Sequence, residues 1–318
     1  ACSDAIFLAL KAGDTDADQI LAENFTESVM VFDFREQRWS CELGDQPVCR
    51  AIGDASDRER PWPRGAFLFG KQGPADSPSP NGRFLARRVG PNLKIIDTST
   101  GRVAIQTTDG SAALSYANTL PTSWSGRVQV ATGDLDPPTE GRWSADSRYF
   151  LTIQTDESAQ RMGALLRAQP PGGRDQPPDV LRYRQPLPSD ETPVQMRLVV
   201  ADVQSGVISP LNMSWVNAPI DPFLMRFVQW KDGSNEAFFF LTHTRGSRTI
   251  TLWEGNARTR RVKEVFSETS STRAGVTGSL IQYGVEDIPG SSDYLWYSDR
   301  DGRGAIYRLD GARGQLGA

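Results

Sequence analysis

Several stretches of this chain repeat one short pattern: a strand, an acidic residue, a small turn of Ser, Thr and Gly, and a second strand. The stretch SPNGRFLARRVGPNLKIIDTSTGRVAIQTTDG, Ser79 to Gly110, shows it with Asp97 at the turn. A second copy opens at GRWSADSRYFLTIQTDE, Gly141 to Glu157, and is completed after a long interruption by MRLVVADVQSGVISPLN, Met196 to Asn212, with Asp202 at the turn. VMVFDFREQRWSCEL (Val29 to Leu43), the Phe227 to Glu268 stretch and DYLWYSDRDGRGAIYRLDGARGQL (Asp293 to Leu316) follow the same order. Units of three or four strands at a spacing of about 40 residues cannot each bury their faces alone, so they have to stack on one another.

The fold class predicted from this is all-β, a β-propeller, with possible incompleteness of the ring. A β-sandwich is the competing reading, but its strands have no reason to restart at a Trp or Phe followed by an Asp-Gly turn. The domain plan is an N-terminal extension over residues 1–27 with a short helical segment, DADQILAENF (Asp16 to Phe25), and blades over 28–318. A Pro-rich segment at about 167–193 interrupts the second copy without strand pattern until VLRYR, and is expected to project from its blade. GKQGPADSPSPNG, Gly70 to Gly82, is expected as a shorter loop of the same kind. Trp143, Trp230 and Trp296 are expected within or between blades. An incomplete ring would expose blade faces and favour a homodimer.

Charge removes several function classes. With 35 basic and 39 acidic residues, a net charge of −4 and a pI near 5.3, nucleic acid is not an expected partner. No apolar run approaches the roughly 18 residues of a membrane span. No Cys/His cluster has metal-ligand spacing. Asp14, Asp16 and Asp18 alternate as in a calcium loop but lack its later Gly and closing Glu, so they read as a solvated turn or helix start. No P-loop or dinucleotide fingerprint is present, and no cofactor or metal is expected. Cys41 and Cys49 bracket Gly-Asp-Gln-Pro, a turn that could bring the sulfurs together; a loop disulfide and two reduced thiols both stand. Cys2 sits where the first residue of a mature lipoprotein would sit, so export to a periplasm or lipoprotein anchoring is expected.

In combination, WSADSRYFLTIQTDE, LRYRQPLPSDETPVQMRLVVADVQSG, FVQWKDGSNEAFFFLTHTRGSRTITLWE, VKEVFSETS and YLWYSDRDGRGAIYRLDG resemble, in that order, the N-terminal propeller of the dipeptidyl peptidase IV family, serine peptidases of the prolyl oligopeptidase (S9) clan. The resemblance runs from about Ser79 onward. It implies a propeller that caps an α/β-hydrolase domain, so that short or unfolded peptides are its substrates. It also implies proteolysis by the intact protein and none by this chain. A peptidase of that kind needs a Gly-x-Ser-x-Gly elbow with a downstream Asp and His. This sequence has no such elbow, and its only histidine, His243, lies in the strand FFFLTHTRG; catalytic residues are expected to be none.

The family's paired Glu motif, which holds a substrate's amino terminus, should fall shortly before Gly141. The chain there reads VATGDLDPPTEGRWS, with Asp134, Asp136 and Glu140 but no pair. These three are either a rearranged amine-binding patch or an ordinary acidic turn, and the ordinary turn is favoured. The functional expectation is a noncatalytic propeller gating a hydrolase domain missing from this chain. The alternative is a stand-alone exported propeller that binds a protein or peptide. A glycan-acting propeller enzyme ranks below both, because convergent carboxylates cannot be placed from the sequence.

Overall fold

The computed structural model describes residues 21–25, 29–34, 37–42, 48–54, 76–118, 124–133, 138–168, 177–187, 189–217, 228–244, 246, 248–272, 274 and 284–317. The chain divides into two compact units, Ala1–Lys71 and Gln72–Ala318. In the first, β1 (Leu21–Phe25), β2 (Val29–Phe34), β3 (Gln37–Glu42) and β4 (Val48–Asp54) form one antiparallel sheet in sequence order. Cys41 and Cys49 stand directly opposite each other on β3 and β4 and are joined as a disulfide, with their Cα atoms 4.0 Å apart.

The helical segment expected from Asp16 to Phe25 is corrected here. Its second half, Leu21–Phe25, is strand β1, and its first half lies outside the described residues. Five residues cannot repay the cost of nucleating a helix, whereas pairing with β2 from Leu21↔Asp33 to Phe25↔Met30 gives the backbone its partners at once. The sheet thus begins inside the stretch expected as an extension.

Among the described residues the second unit holds four larger sheets and one two-stranded hairpin. β5 (Asp76–Pro78), β6 (Phe84–Val89), β7 (Asn92–Asp97) and β8 (Val103–Gln106) make one four-stranded meander. After β9 (Leu114–Tyr116) and helix α1 (Trp124–Thr132), the next sheet is built from β10 (Arg142–Trp143), β11 (Tyr149–Asp156), β14 (Gln195–Asp202) and β15 (Val207–Pro210). A separate hairpin, β12 (Met162–Arg167) with β13 (Asp179–Arg184), lies between β11 and β14 in the chain, and β16 (Val216–Asn217) pairs with β14. β17 (Gln229–Trp230), β18 (Ala237–His243), β19 (Thr249–Asn256) and β20 (Val262–Thr269) form the fourth sheet, and β21 (Val285–Asp287), β22 (Tyr294–Ser298), β23 (Ala305–Asp310) and β24 (Gln315–Leu316) the fifth.

Two expected loops contain strands. Asp76–Pro78, inside the Gly70 to Gly82 stretch, is β5; it pairs only with β6, and an edge strand tolerates the proline. The interruption of the third sheet starts earlier than 167, because Met162–Arg167 already belongs to the hairpin.

The repeated turn has one mechanism in four sheets. The residue ending the third strand accepts a backbone N–H on its side-chain oxygen: Asp97 from Ser99, Asp202 from Gln204, Asn256 from Thr259, and Asp310 from Ala312. Its carbonyl then accepts the N–H of the residue four further on, namely Gly101, Gly206, Arg260 and Gly314. That last position has φ between 61° and 72° in all four, so three glycines fit it and Arg260 adopts it under strain.

The core lies between sheets. Ala86, Leu93 and Ile95 meet Phe150, Val199 and Ala201. Tyr149, Leu151, Ile153 and Leu198 meet Phe238 and Phe240. Phe239, Leu241 and Leu252 meet Tyr294, Trp296 and Leu309. Trp143 stacks on Phe84, lies tilted against Phe150 and donates its Nε1–H to the Ser77 carbonyl at 3.1 Å, while Trp230 packs edge-on against Phe238. Each inner sheet therefore buries both faces, which is why β11 is buried from Tyr149 to Thr155.

Candidate functional site

The third sheet departs from the others at one end. β11 and β14 run on past the four-stranded part, where β9 pairs the last three residues of β11 and β16 pairs the start of β14. Between those strands the chain leaves as the β12–β13 hairpin, and α1 packs against β13. The elements meet at a polar root. Arg127, on α1, donates from Nη1 to Glu157 Oε1 at 2.6 Å and to the Arg184 carbonyl at 3.3 Å. Arg184 ends β13 and donates to the Glu157 carbonyl at 3.0 Å. Both side chains of the Arg127–Glu157 pair are buried, at 7% and 6% exposure.

The root extends along the hairpin's return. Gln160 is buried and donates its amide to the Thr192 carbonyl at 2.9 Å. Asp190 accepts the Leu187 N–H at 2.7 Å and faces Arg161 at 3.5 Å. Burial pushes the Glu157 carboxyl above its ordinary value, and the Arg127 charge works against that push. Both side chains of the pair are buried and committed to each other, so this root fixes position: it ties α1, the hairpin and the Pro-rich return to the blade.

The three acidic residues singled out from the sequence fare differently. Glu140 is half-buried just before β10; its N–H bonds the Ala117 carbonyl at 3.0 Å and its own carbonyl accepts the Thr152 hydroxyl at 2.5 Å. Asp134 and Asp136 lie outside the described residues. α1, which precedes them, contains no acidic residue and directs Arg127 into the blade. His243 ends β18 opposite Ile250. Among the described residues no group of three or more His, Cys, Asp or Glu side chains converges to hold a metal, and no helix is long and apolar enough to cross a membrane. Sequence reading passed over Arg127, Glu157, Gln160 and Arg184. The one local signal was Glu157 itself, a charge placed directly after a buried strand.

Antiparallel meanders packed face to face, each closed by the same turn, define a β-propeller domain. The chain belongs to the family described as the dipeptidyl peptidase IV (DPP IV) N-terminal region, whose model matches residues 75–316. Its fold is similar to the crystal structure of Porphyromonas gingivalis dipeptidyl peptidase 4, with TM-score 0.58 and 15% identity over 93% of this chain and 36% of that one. A putative dipeptidyl aminopeptidase IV from Bacteroides ovatus aligns with TM-score 0.55 and 13% identity, over 98% of this chain and 38% of that one. The chain thus spans little more than a third of the length of these solved relatives. No curated protein sequence matches it significantly.

Proposed function

We propose that this chain is the noncatalytic propeller part of a dipeptidyl-peptidase-like serine peptidase, which gates the access of peptide ends to a hydrolase domain and keeps folded proteins out. The observation that carries the reading is the family match across residues 75–316. The absence of a Gly-x-Ser-x-Gly elbow from this sequence supports assigning the chemistry to another segment. Exclusion needs shape and rigidity more than reactive groups, and blades buried on both faces supply that rigidity.

Export, to a periplasm or on a lipid anchor through Cys2, belongs to the same proposal; the Cys41–Cys49 disulfide supports it, because such bonds persist in oxidising compartments. A homodimer is a further part of it. The second reading, an exported propeller that binds a protein or peptide without a hydrolase, is favoured only by the missing elbow.

The test expresses residues 1–318 beside the product of the whole reading frame that contains them. Both are assayed with Xaa-Pro and Xaa-Ala dipeptide substrates and a fluorophosphonate probe. Residues 1–318 are expected to be inert and unlabelled, and the longer product to cleave and to label at one Ser. Labelling of residues 1–318, or a whole product that neither cleaves nor labels, would overturn the reading.

A further inference from the structure

Several arginines of the blades are matched to a carboxylate. Arg87 pairs with Asp76, Arg148 with Asp202 and Arg300 with Glu268. Arg197, on β14, is different. Its Nε donates to Gln154 Oε1 at 2.7 Å, and its guanidinium carbon sits 4.4 Å from the centre of the Trp215 ring. No carboxylate of the described residues lies within ion-pair distance of it, and neither Nη nitrogen makes a described hydrogen bond.

The strand register explains the setting. Gln154 of β11 stands opposite both Tyr116 of β9 and Arg197 of β14, so the three side chains share one face of the sheet. Tyr116 is occupied: it donates its hydroxyl to Asp109 Oδ2 at 2.9 Å. The Gln154 amide nitrogen is fully buried and has no partner. A guanidinium placed over an indole and held by its Nε keeps its Nη nitrogens for a planar acceptor. The buried amide N–H beside it is a second donor lacking an acceptor.

We propose that Arg197, Gln154 and Trp215 form a binding site for a carboxylate carried by a peptide, either a C-terminal carboxylate or an acidic side chain. The site does not depend on a hydrolase domain, so it can stand or fall separately from the function proposed above. Asp109, which accepts the Tyr116 hydroxyl, carries a negative charge that works against such a ligand.

Calorimetric titration of residues 1–318 tests this with three tetrapeptides: a blocked one carrying a Glu, its blocked Gln counterpart, and the Gln peptide with a free C-terminal carboxylate. At least one carboxylate-bearing peptide is expected to bind at least tenfold more tightly than the blocked Gln peptide, and which one does so identifies the carboxylate's source. Arg197→Met, which keeps the stem against Trp215, should abolish the difference. Arg197→Lys should lose most of it, and Asp109→Asn should tighten binding severalfold. Circular dichroism verifies that each variant is folded, and if Arg197→Met is not, the Lys variant decides. Equal binding of all three peptides, unchanged affinity in a folded Arg197 variant, or a tenfold preference for inorganic phosphate over acetate would each overturn the assignment.

Discussion

In the β17–β20 sheet, Phe238, Phe239, Phe240 and Leu241 are buried in succession, Phe238 and Phe240 against the third sheet and Phe239 and Leu241 against the fifth. The β12–β13 hairpin is the reverse case: Met162, Leu166 and Val180 stay exposed, and what is buried at its root is the Arg127–Glu157 pair. The two regions are held by different physics. A blade strand has apolar neighbours on both faces, and each large side chain removed from water contributes about 1.5–3 kcal/mol. A hairpin standing off the blade has no second sheet to cover it, so directional bonds at its root must fix it. A buried ion pair returns little net stability against an apolar replacement, but it specifies geometry.

The largest effect that can break this comparison is a cavity in the fourth sheet. Phe238→Ala should cost about 3–5 kcal/mol, read as a fall in the midpoint of denaturant unfolding. Protection from hydrogen exchange should fall in the fourth sheet itself and in the third, because Phe238 stands opposite Gly255 of β19 and packs across to Tyr149 and Leu151. A loss confined to the hairpin would contradict the assignment.

Next comes the root. Arg127→Met leaves Glu157 buried without its guanidinium and should cost about 2–4 kcal/mol, somewhat below the full range for a broken buried pair because Arg184 also favours the charge. Here the loss of protection should concentrate in α1 and β12–β13 and spare β17–β20. Joint replacement by Arg127→Met and Glu157→Leu should restore most of the stability, since no buried charge is then left uncompensated.

A subtler contrast lies in acid response. Glu254, between Lys231 and the Tyr294 hydroxyl, is half-buried; burial works to raise its carboxyl, but Lys231 at 2.8 Å and Tyr294 at 2.5 Å prevail and hold it below its ordinary value of 4.5. Its contribution is therefore present above pH 4.5 and lost as pH falls through the lowered value. Glu157 is displaced upward by burial, so its contribution is present below pH 4.5 and lost as pH rises through the raised value. Relative to the unsubstituted chain, the stability deficit of Glu254→Gln should shrink on acidification, and that of Glu157→Gln should shrink on going from pH 4 to pH 8. Equal pH profiles for the two variants would erase the distinction.

The smallest effect is a gain. Arg260 holds φ 61° where Gly101, Gly206 and Gly314 stand in the other turns. Arg260→Gly should stabilise by about 0.5–1 kcal/mol, since glycine reaches that conformation without a Cβ penalty. Thermal unfolding of the single variant reads it directly.

The blade plan was legible in the chain because it rests on neighbours in sequence. Asp97 and Ser99, or Asp202 and Gln204, are two residues apart, and an Asx turn followed by a left-handed glycine needs nothing from elsewhere. Trp143 and Trp296 were equally legible as interior residues, since an indole is too large an apolar body to leave in water between strands. β1 was not, because Leu21–Phe25 has helical spacing and only the presence of β2 beside it makes strand pairing available. Neither was β5, a three-residue strand hidden in a Pro- and Ser-rich stretch, which exists because β6 offers it an open edge.

The candidate site lies further beyond sequence. Cys41 and Cys49 are brought face to face by the register of β3 and β4, and sequence left the thiol and disulfide forms open. Arg127 meets Glu157 across 30 residues of chain, and Arg197 meets Gln154 across 43. The sequence by itself determined the repeated strand and turn, the propeller class, and the lack of a nucleophile elbow, all of which are short-range matters of residue type. Only the tertiary structure decided which charges are neutralised and which stay open, because partnering of charges depends on strand order and register across the sheet, and those are set by how whole blades bury their faces on one another.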